Sequence, residues 1–237
     1  MRILTIDTSG QTEYVGVVDA GRVLASTATP AGRGQSRTLL AAIDDVLVES
    51  GTTLSELGGI AVAIGPGRFS GLRVGLATAK GLAATEGRPV WGISTLEALA
   101  TATASEANDA SAADVGAARW IFAAADARRG EVYGALFERT ADGSVRRATD
   151  DTALSPAEAA RWAVEQAGGE HVLFAGSGAA AYRDDILEAA GSSVSFAASD
   201  QERSTTLALA ELAERSGVAG ATDAGALEPV YIRGAVG

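Results

Sequence analysis

Hydrophobic residues along this chain recur with two periods, and the switches between them lay out its elements. Residues 2–7 and 13–18 carry the short apolar runs of strands, and Arg22 to Thr29 continues them. Asp19-Ala20-Gly21 between the second and third is a turn signal, so the three read as an antiparallel meander. From Ser36 the period changes. Leu39, Leu40, Ile43, Val46 and Leu47 form one stripe of a helix that runs to Ser50, with Asp44, Asp45 and Glu49 off the stripe and Gly51 as C-cap. Ile60 to Ile64 reads as a buried strand, 71–86 as an Ala- and Leu-rich helix capped by Ser70, and 89–93 as a further strand, which completes a β-α-β unit. A helix over 94–107, capped by Ser94 or Thr95, follows, and Asn108 to Gly116 is small and polar enough for a linker.

Then the pattern restarts. Trp120 to Asp126 is a strand that ends in Asp, as residues 2–7 do; Glu131 to Glu138 is a second, Ala141-Asp142-Gly143 a turn, and Ser144 to Ala148 a third. A helix at 156–167, a strand at 171–175, a helix at 179–190 opened by Gly176-Ser177-Gly178-Ala179, a strand at 193–197 and a helix at 204–216 come next, with a short segment at 229–233. The expectation is an α/β chain built from a duplicated βββαβα unit: a first subdomain over 1–108, a linker over 109–117, and a reduced second subdomain over 118–237 whose last helix and strand pack back on the first.

Composition narrows the chemistry. The 237 residues are 47% hydrophobic, enough for a substantial core. No run of about 18 apolar residues exists, so no membrane span is expected, and the N-terminal run contains Asp7 with no cleavage site after it, which argues against a signal peptide. With no cysteine there are no disulfides, thiolate nucleophiles or thiolate metal sites, and a cytoplasmic protein is the simplest expectation. The net charge of −11 divides into −4 through residue 118 (8 basic, 12 acidic) and −7 beyond it (11 basic, 18 acidic). Neither half has the basic excess of a nucleic-acid binder, so a link to RNA would run through a partner. A single histidine, His171, rules out a two-histidine metal site; it begins the apolar run 172–175 and reads as a strand-start residue.

The most distinctive stretch is Gly65-Pro66-Gly67-Arg68-Phe69-Ser70-Gly71-Leu72-Arg73-Val74-Gly75, between a strand and a helix. A glycine-rich turn there can present N–H groups to an anion. It lacks the Gly-Lys-Ser/Thr of a Walker loop and the spacing of a dinucleotide fingerprint, so spacing alone favours a tight turn that lets the helix pack closely on the sheet.

These residues, together with Ile3-Leu4-Thr5-Ile6-Asp7-Thr8-Ser9, Lys80-Gly81-Leu82-Ala83, Gly92 to Ala100, Asp126-Ala127-Arg128-Arg129-Gly130-Glu131-Val132-Tyr133 and Pro229-Val230-Tyr231-Ile232-Arg233, resemble the signatures of the TsaB (YeaZ) family, in the family's order. The resemblance is dense to about residue 138 and thin after it, except at the C-terminus. It implies an actin-like (ribonuclease H-like) ATPase fold and a non-catalytic subunit of the machinery that makes threonylcarbamoyladenosine in tRNA, working with the catalytic TsaD and with TsaE and touching tRNA only indirectly. Threonylcarbamoyl-adenylate would be the substrate of the complex. A homodimer when alone, and ATP or ADP at a shared interface rather than a cofactor of its own, also belong to what it implies.

In that fold each first hairpin holds phosphates, and Asp7, Thr8, Ser9 and Gly10 fill the first such place as a degenerate phosphate hairpin. Arg128 and Arg129 stand in the second, where small residues are wanted, and Gly176-Ser177-Gly178 stands where a glycine pair lies under adenosine. No histidine pair replaces the catalytic relative's metal site. Gln35, Ala41, Arg68 and Ser70 depart from the residues usual in the family, at loop and helix-entry positions. The smooth face of Gly71, Gly75 and Ala79, with Leu72 and Leu76 beside it, packs either against a neighbour in this chain, the sheet or the helix at 36–50, or, since the family pairs through helices of its first subdomain, against a partner together with the Leu39, Leu40, Ile43 and Leu47 stripe as interface. The alternatives are a stand-alone kinase of the same fold and a glycoprotease-like peptidase. Against both stand the missing base, metal pair and Ser–His constellation.

Overall fold

The computed structural model describes residues 1–32, 35–109, 118–197 and 201–232. They form two compact units, Met1–Ala98 with Glu202–Val230, and Leu99–Gln201 with the residues from Tyr231 on.

In the first unit β1 (Arg2–Asp7), β2 (Thr12–Asp19) and β3 (Arg22–Pro30) make the antiparallel meander, and β4 (Gly59–Gly65) and β5 (Val90–Ser94) join in parallel, in the order β3-β2-β1-β4-β5. The near-continuous apolar run of β1 follows from its central place, buried on both faces. Helix α1 (Gln35–Ser50) packs on β2 and β3, and α2 (Phe69–Glu86) packs on β4 and α1. Leu4, Ile6, Val15, Val17, Leu39, Ile43, Val62 and Leu76 share the core between them. Gly51 ends α1 at φ +61 and Gly87 ends α2 at φ +62, the left-handed values that glycine adopts without a Cβ clash. Helix α3 (Thr95–Asp109) leaves β5 and carries the chain from one unit into the other.

The second unit repeats the path. Strands β6 (Trp120–Arg128), β7 (Glu131–Arg139), β8 (Val145–Arg147), β10 (Val172–Ala175) and β11 (Val194–Phe196) lie in the order β11-β10-β6-β7-β8, and β9 (Thr152–Leu154) also pairs with β7. The correspondence of β8-β7-β6-β10-β11 with β3-β2-β1-β4-β5 establishes the duplicated actin-like fold. Helix α4 (Pro156–Gln166) starts from a capping box in which Ser155 and Glu158 exchange bonds, with Pro156 at the first helical position. Its Ala159, Ala160 and Ala163 sit against Phe122 and Phe174, whose rings are 4.8 Å apart.

The structure departs from the sequence reading in five places. Helix α2 begins at Phe69 with Arg68 as cap, because the Arg68 N–H is bonded to the Ser9 carbonyl and Ser70 is already inside the first turn. The helix expected at 179–190 is two, α5 (Ser177–Ala181) and α6 (Arg183–Ala190), broken at Tyr182, whose hydroxyl is drawn to Asp126. Strand β9 has no counterpart in the expected pattern. The unit boundary falls inside α3, at Ala98, rather than after residue 108; α7 (Gln201–Ser216) with the chain to Val230 groups with the first unit. Segment 229–233 forms no strand over its described residues 229–232, and Arg233 lies outside the described residues, as does most of the expected linker, 110–117. No described helix is long and apolar enough to cross a membrane.

Candidate functional site

The duplicated hairpins carry the same local bond. Asp7 Oδ1 accepts the Ser9 N–H at 2.8 Å where β1 ends, and Asp126 Oδ1 accepts the Arg128 N–H at 2.8 Å where β6 ends. Both are Asx turns, the local preference of an aspartate at a strand end. Around them the two hairpins differ.

The first is closed. The Thr8 hydroxyl donates to the Gly71 carbonyl at 2.8 Å. The Arg68 N–H donates to Ser9 O at 2.7 Å, and Arg68 Nη1 donates to Gly10 O at 3.2 Å. A Cβ on Gly67 would lie 2.6 Å from Ser9 O, and one on Gly75 2.2 Å from Thr8 Oγ1. The glycine loop and the smooth face of α2 are thus seated on the hairpin, and Thr8 has no exposed surface. Asp7, Thr8, Ser9 and Gly10 come together as the sequence places them, but the Thr8 hydroxyl, the Ser9 amide and the Ser9 and Gly10 carbonyls are turned to bonds inside the chain. In this structure the hairpin serves as a packing joint for the glycine loop and α2. Burial pushes the Asp7 carboxyl above its ordinary 3.8, against the opposing pull of the Ser9 bonds.

The second hairpin is open. Asp126 accepts the Tyr182 hydroxyl at 3.3 Å, and its N–H donates to Ser177 Oγ at 3.1 Å. Arg128 Nε is 3.6 Å from Asp126 Oδ2, so this arginine is paired inside its own turn. Arg128 and Arg129 hold φ of +63 and +58, a left-handed backbone that costs a non-glycine residue about 1 kcal/mol or more. Both side chains are exposed. Gly176 and Gly178 serve close packing on the end of β6: a Cβ on Gly176 would lie 2.5 Å from Ala124 O. His171 Nε2 lies 2.8 Å from Ser195 Oγ at the surface, with no carboxylate bonded to the ring among the described residues. Among the residues searched no group of three or more His, Asp or Glu could hold a metal.

The interface residues also need correction. Leu39, Ile43 and Leu47 are buried in the core of their own unit, and so are Gly71, Leu72, Gly75, Leu76 and Ala79. Of the nine only Leu40 is exposed, at 50%. The reason is geometric: the stripe of α1 covers β2 and β3, and the bare face of α2 receives Thr8. What these helices offer outward is a different set, Leu40, Asp44 and Val48 on α1 and Phe69, Arg73, Ala77 and Gly81 on α2, with the Arg73 guanidinium 4.0 Å above the Phe69 ring. Both sets recur every four residues, a signal present in the sequence but masked by the stronger apolar stripe. Arg68, which fastens the first hairpin, lies within the glycine-rich motif, whereas Tyr182, which bonds the second, carries no motif of its own.

Comparison with known proteins gives a consistent result. Residues 27–228 match the family model for TsaD, tRNA N6-adenosine threonylcarbamoyltransferase. The chain is 35% identical over 184 residues to the tRNA threonylcarbamoyladenosine biosynthesis protein TsaB of Escherichia coli (strain K12), covering 78% of this chain and 74% of that one. It superposes on YeaZ from Pseudomonas aeruginosa with a TM-score of 0.73 and 28% identity, over 98% of this chain and 99% of that one. A ROK hexokinase from Thermus thermophilus shares the fold at a TM-score of 0.51 and 15% identity, over 91% and 99% of the two chains.

Proposed function

Because the chain belongs to the TsaB (YeaZ) family of tRNA threonylcarbamoyladenosine biosynthesis proteins, we propose that it is the non-catalytic subunit of the complex that forms N6-threonylcarbamoyladenosine in tRNA, supporting TsaD together with TsaE. The observation that carries the accessory reading is the closed hairpin. A phosphate at Asp7–Gly10 would need the hydroxyl and amide groups that Gly71 and Asp7 now engage, and it would need entry past the seated glycine loop. Any ATP or ADP in the assembly then sits at a surface shared with a partner rather than in this hairpin. The outward faces of α1 and α2, with Leu40, Val48 and Phe69 exposed, are the surface offered to TsaD, or to a second copy when the chain is alone. With a net charge of −11, contact with tRNA is left to the partner, and the work is cytoplasmic, where tRNA is modified.

Reconstitution tests this. TsaD, TsaE, ATP, threonine-derived adenylate and tRNA are assayed for the modified nucleoside with and without this chain. Formation that requires the chain, while the chain alone turns over no ATP, is the expected result. ATP hydrolysis by the isolated chain at an ordinary enzymatic rate of about 1 per second or more would refute the non-catalytic assignment.

A further inference from the structure

The last described part of the first unit is an irregular strap over residues 221–230. It lies along the β5 edge of the sheet. The Thr222 N–H donates to the Val90 carbonyl at 2.8 Å, and Leu227 is buried in the core, its Cδ1 2.4 Å from where a Cβ on Gly92 would stand. The Nζ of Lys80, the only lysine of the chain, reaches Gly225 O at 3.5 Å. The β4–β5 ladder is irregular between Ala63 and Gly65, and there the Val230 N–H donates to the Ile64 carbonyl at 2.7 Å. Val230 O is so close above Gly65 that a Cβ would come within 2.7 Å.

We propose that residues 221–230 are a detachable clamp, and that its docking decides whether the glycine loop stays seated on the Asp7–Gly10 hairpin. Detachment is local because little holds the strap. Leu227 is its one buried side chain, and the remaining bonds of its turn, Ala226 N–H to Asp223 O and Gly225 N–H to Asp223 Oδ1, lie within the strap itself. Segments with few buried contacts open well below the free energy of global unfolding. The coupling is through β4. The strap grips Ile64 and Gly65; Gly67 and Arg68, two and three residues further on, are the ones seated on Ser9 and Gly10. Release frees the Ile64 carbonyl, empties the apolar socket of Leu227, and leaves the near end of the loop held by the Arg68 bonds and the Gly65–Ser94 pairing of β4 with β5. The hairpin, closed in the docked state, then opens to solvent, and the β5 edge loses its cover. The inference does not depend on the function proposed above.

Amide hydrogen exchange on the full-length chain tests it. Leu227→Ala should speed exchange roughly tenfold or more at the Thr222 and Val230 amides and, through the loop, at Arg68 and Ser9, with the amides of β10 unchanged. A second comparison uses the absence of cysteine: Val90→Cys with Thr222→Cys places a pair on opposed residues of an antiparallel bridge, within the Cα separation of roughly 4.4–6.8 Å that a disulfide spans. Oxidised, this pair should slow Arg68 and Ser9 exchange relative to its reduced form, and acylation of Lys80 should slow in step. Faster exchange confined to the strap, or equal exchange at Arg68 and Ser9 in the oxidised and reduced pair, overturns the proposal. If Leu227→Ala unfolds the whole unit, the oxidised–reduced comparison decides by the same two readings.

Discussion

Gly75→Ala puts the seating of α2 on the first hairpin to a quantitative test. In an isolated helix the change is favourable by about 1 kcal/mol, since glycine is the weaker helix former. Here the new methyl would stand 2.2 Å from Thr8 Oγ1 and 3.4 Å from Thr8 Cβ and Cγ2. The Cβ and Cγ2 separations are tolerable contacts; the hydroxyl must move. Thr8 is fully buried, and its hydroxyl is bonded to Gly71 O, so moving it breaks a buried bond worth about 0.5–1.5 kcal/mol. Overpacking adds about 1–3 kcal/mol. Net of the helix gain, Gly75→Ala should destabilise by about 1–3 kcal/mol, a fall in melting temperature of about 2–12 °C for a chain of this size. Thr8→Ala removes the atom that clashes, so in that background the same substitution should become neutral or stabilising by up to about 1 kcal/mol. Urea and thermal denaturation of the four proteins of this double-mutant cycle give the coupling directly. Equal costs for Gly75→Ala with and without the Thr8 hydroxyl would refute the reasoning. A larger residue such as leucine at 75 should prevent the first unit from folding rather than merely disturb an interface.

Asp7→Asn tests the buried carboxyl. A carboxyl whose folded value is raised holds its proton more tightly when folded, so its contribution is present below 3.8 and is lost as pH rises through the raised folded value. The stability of Asp7→Asn relative to wild type should therefore grow across that window and then level off, as urea denaturation at a series of pH values reads; a gap that does not change with pH contradicts it. Leu39→Ala should cost about 2–5 kcal/mol, because the side chain is fully buried, whereas Leu40→Ala should change stability by less than about 0.5 kcal/mol and weaken association with TsaD in size-exclusion chromatography. Arg129→Gly relieves a left-handed φ and should stabilise by about 0.5–1 kcal/mol in thermal melting; a loss of stability would show that the arginine side chain makes a contact worth more than the strain.

The elements are legible in the sequence because each depends on short-range chemistry. The stripe of α1, the apolar run of β1 and the turn at Asp19-Ala20-Gly21 declare themselves within a few residues of chain, and the recurrence of a strand ending in Asp marks the duplication independently of sheet order. The break at Tyr182 is not legible: residues 179–190 have sound helical composition throughout, and Tyr182 leaves the helical backbone where its hydroxyl bonds an aspartate 56 positions earlier.

The same division runs through the candidate site. The glycine loop, the Asp hairpins and the family they indicate can be read residue by residue, because glycine spacing and strand-terminal aspartates are local requirements of backbone geometry. Periodicity also tells that Leu39, Ile43, Gly71 and Gly75 share bare or apolar faces. It does not tell whether those faces meet the same chain or another, since burial against Thr8 and burial against a partner demand the same small and apolar residues. Only the tertiary structure decided this. It brought Thr8 to Gly71 across 63 residues and returned Val230 to Ile64 from the far end of the chain, closing the hairpin and leaving Leu40, Val48 and Phe69 to face outward.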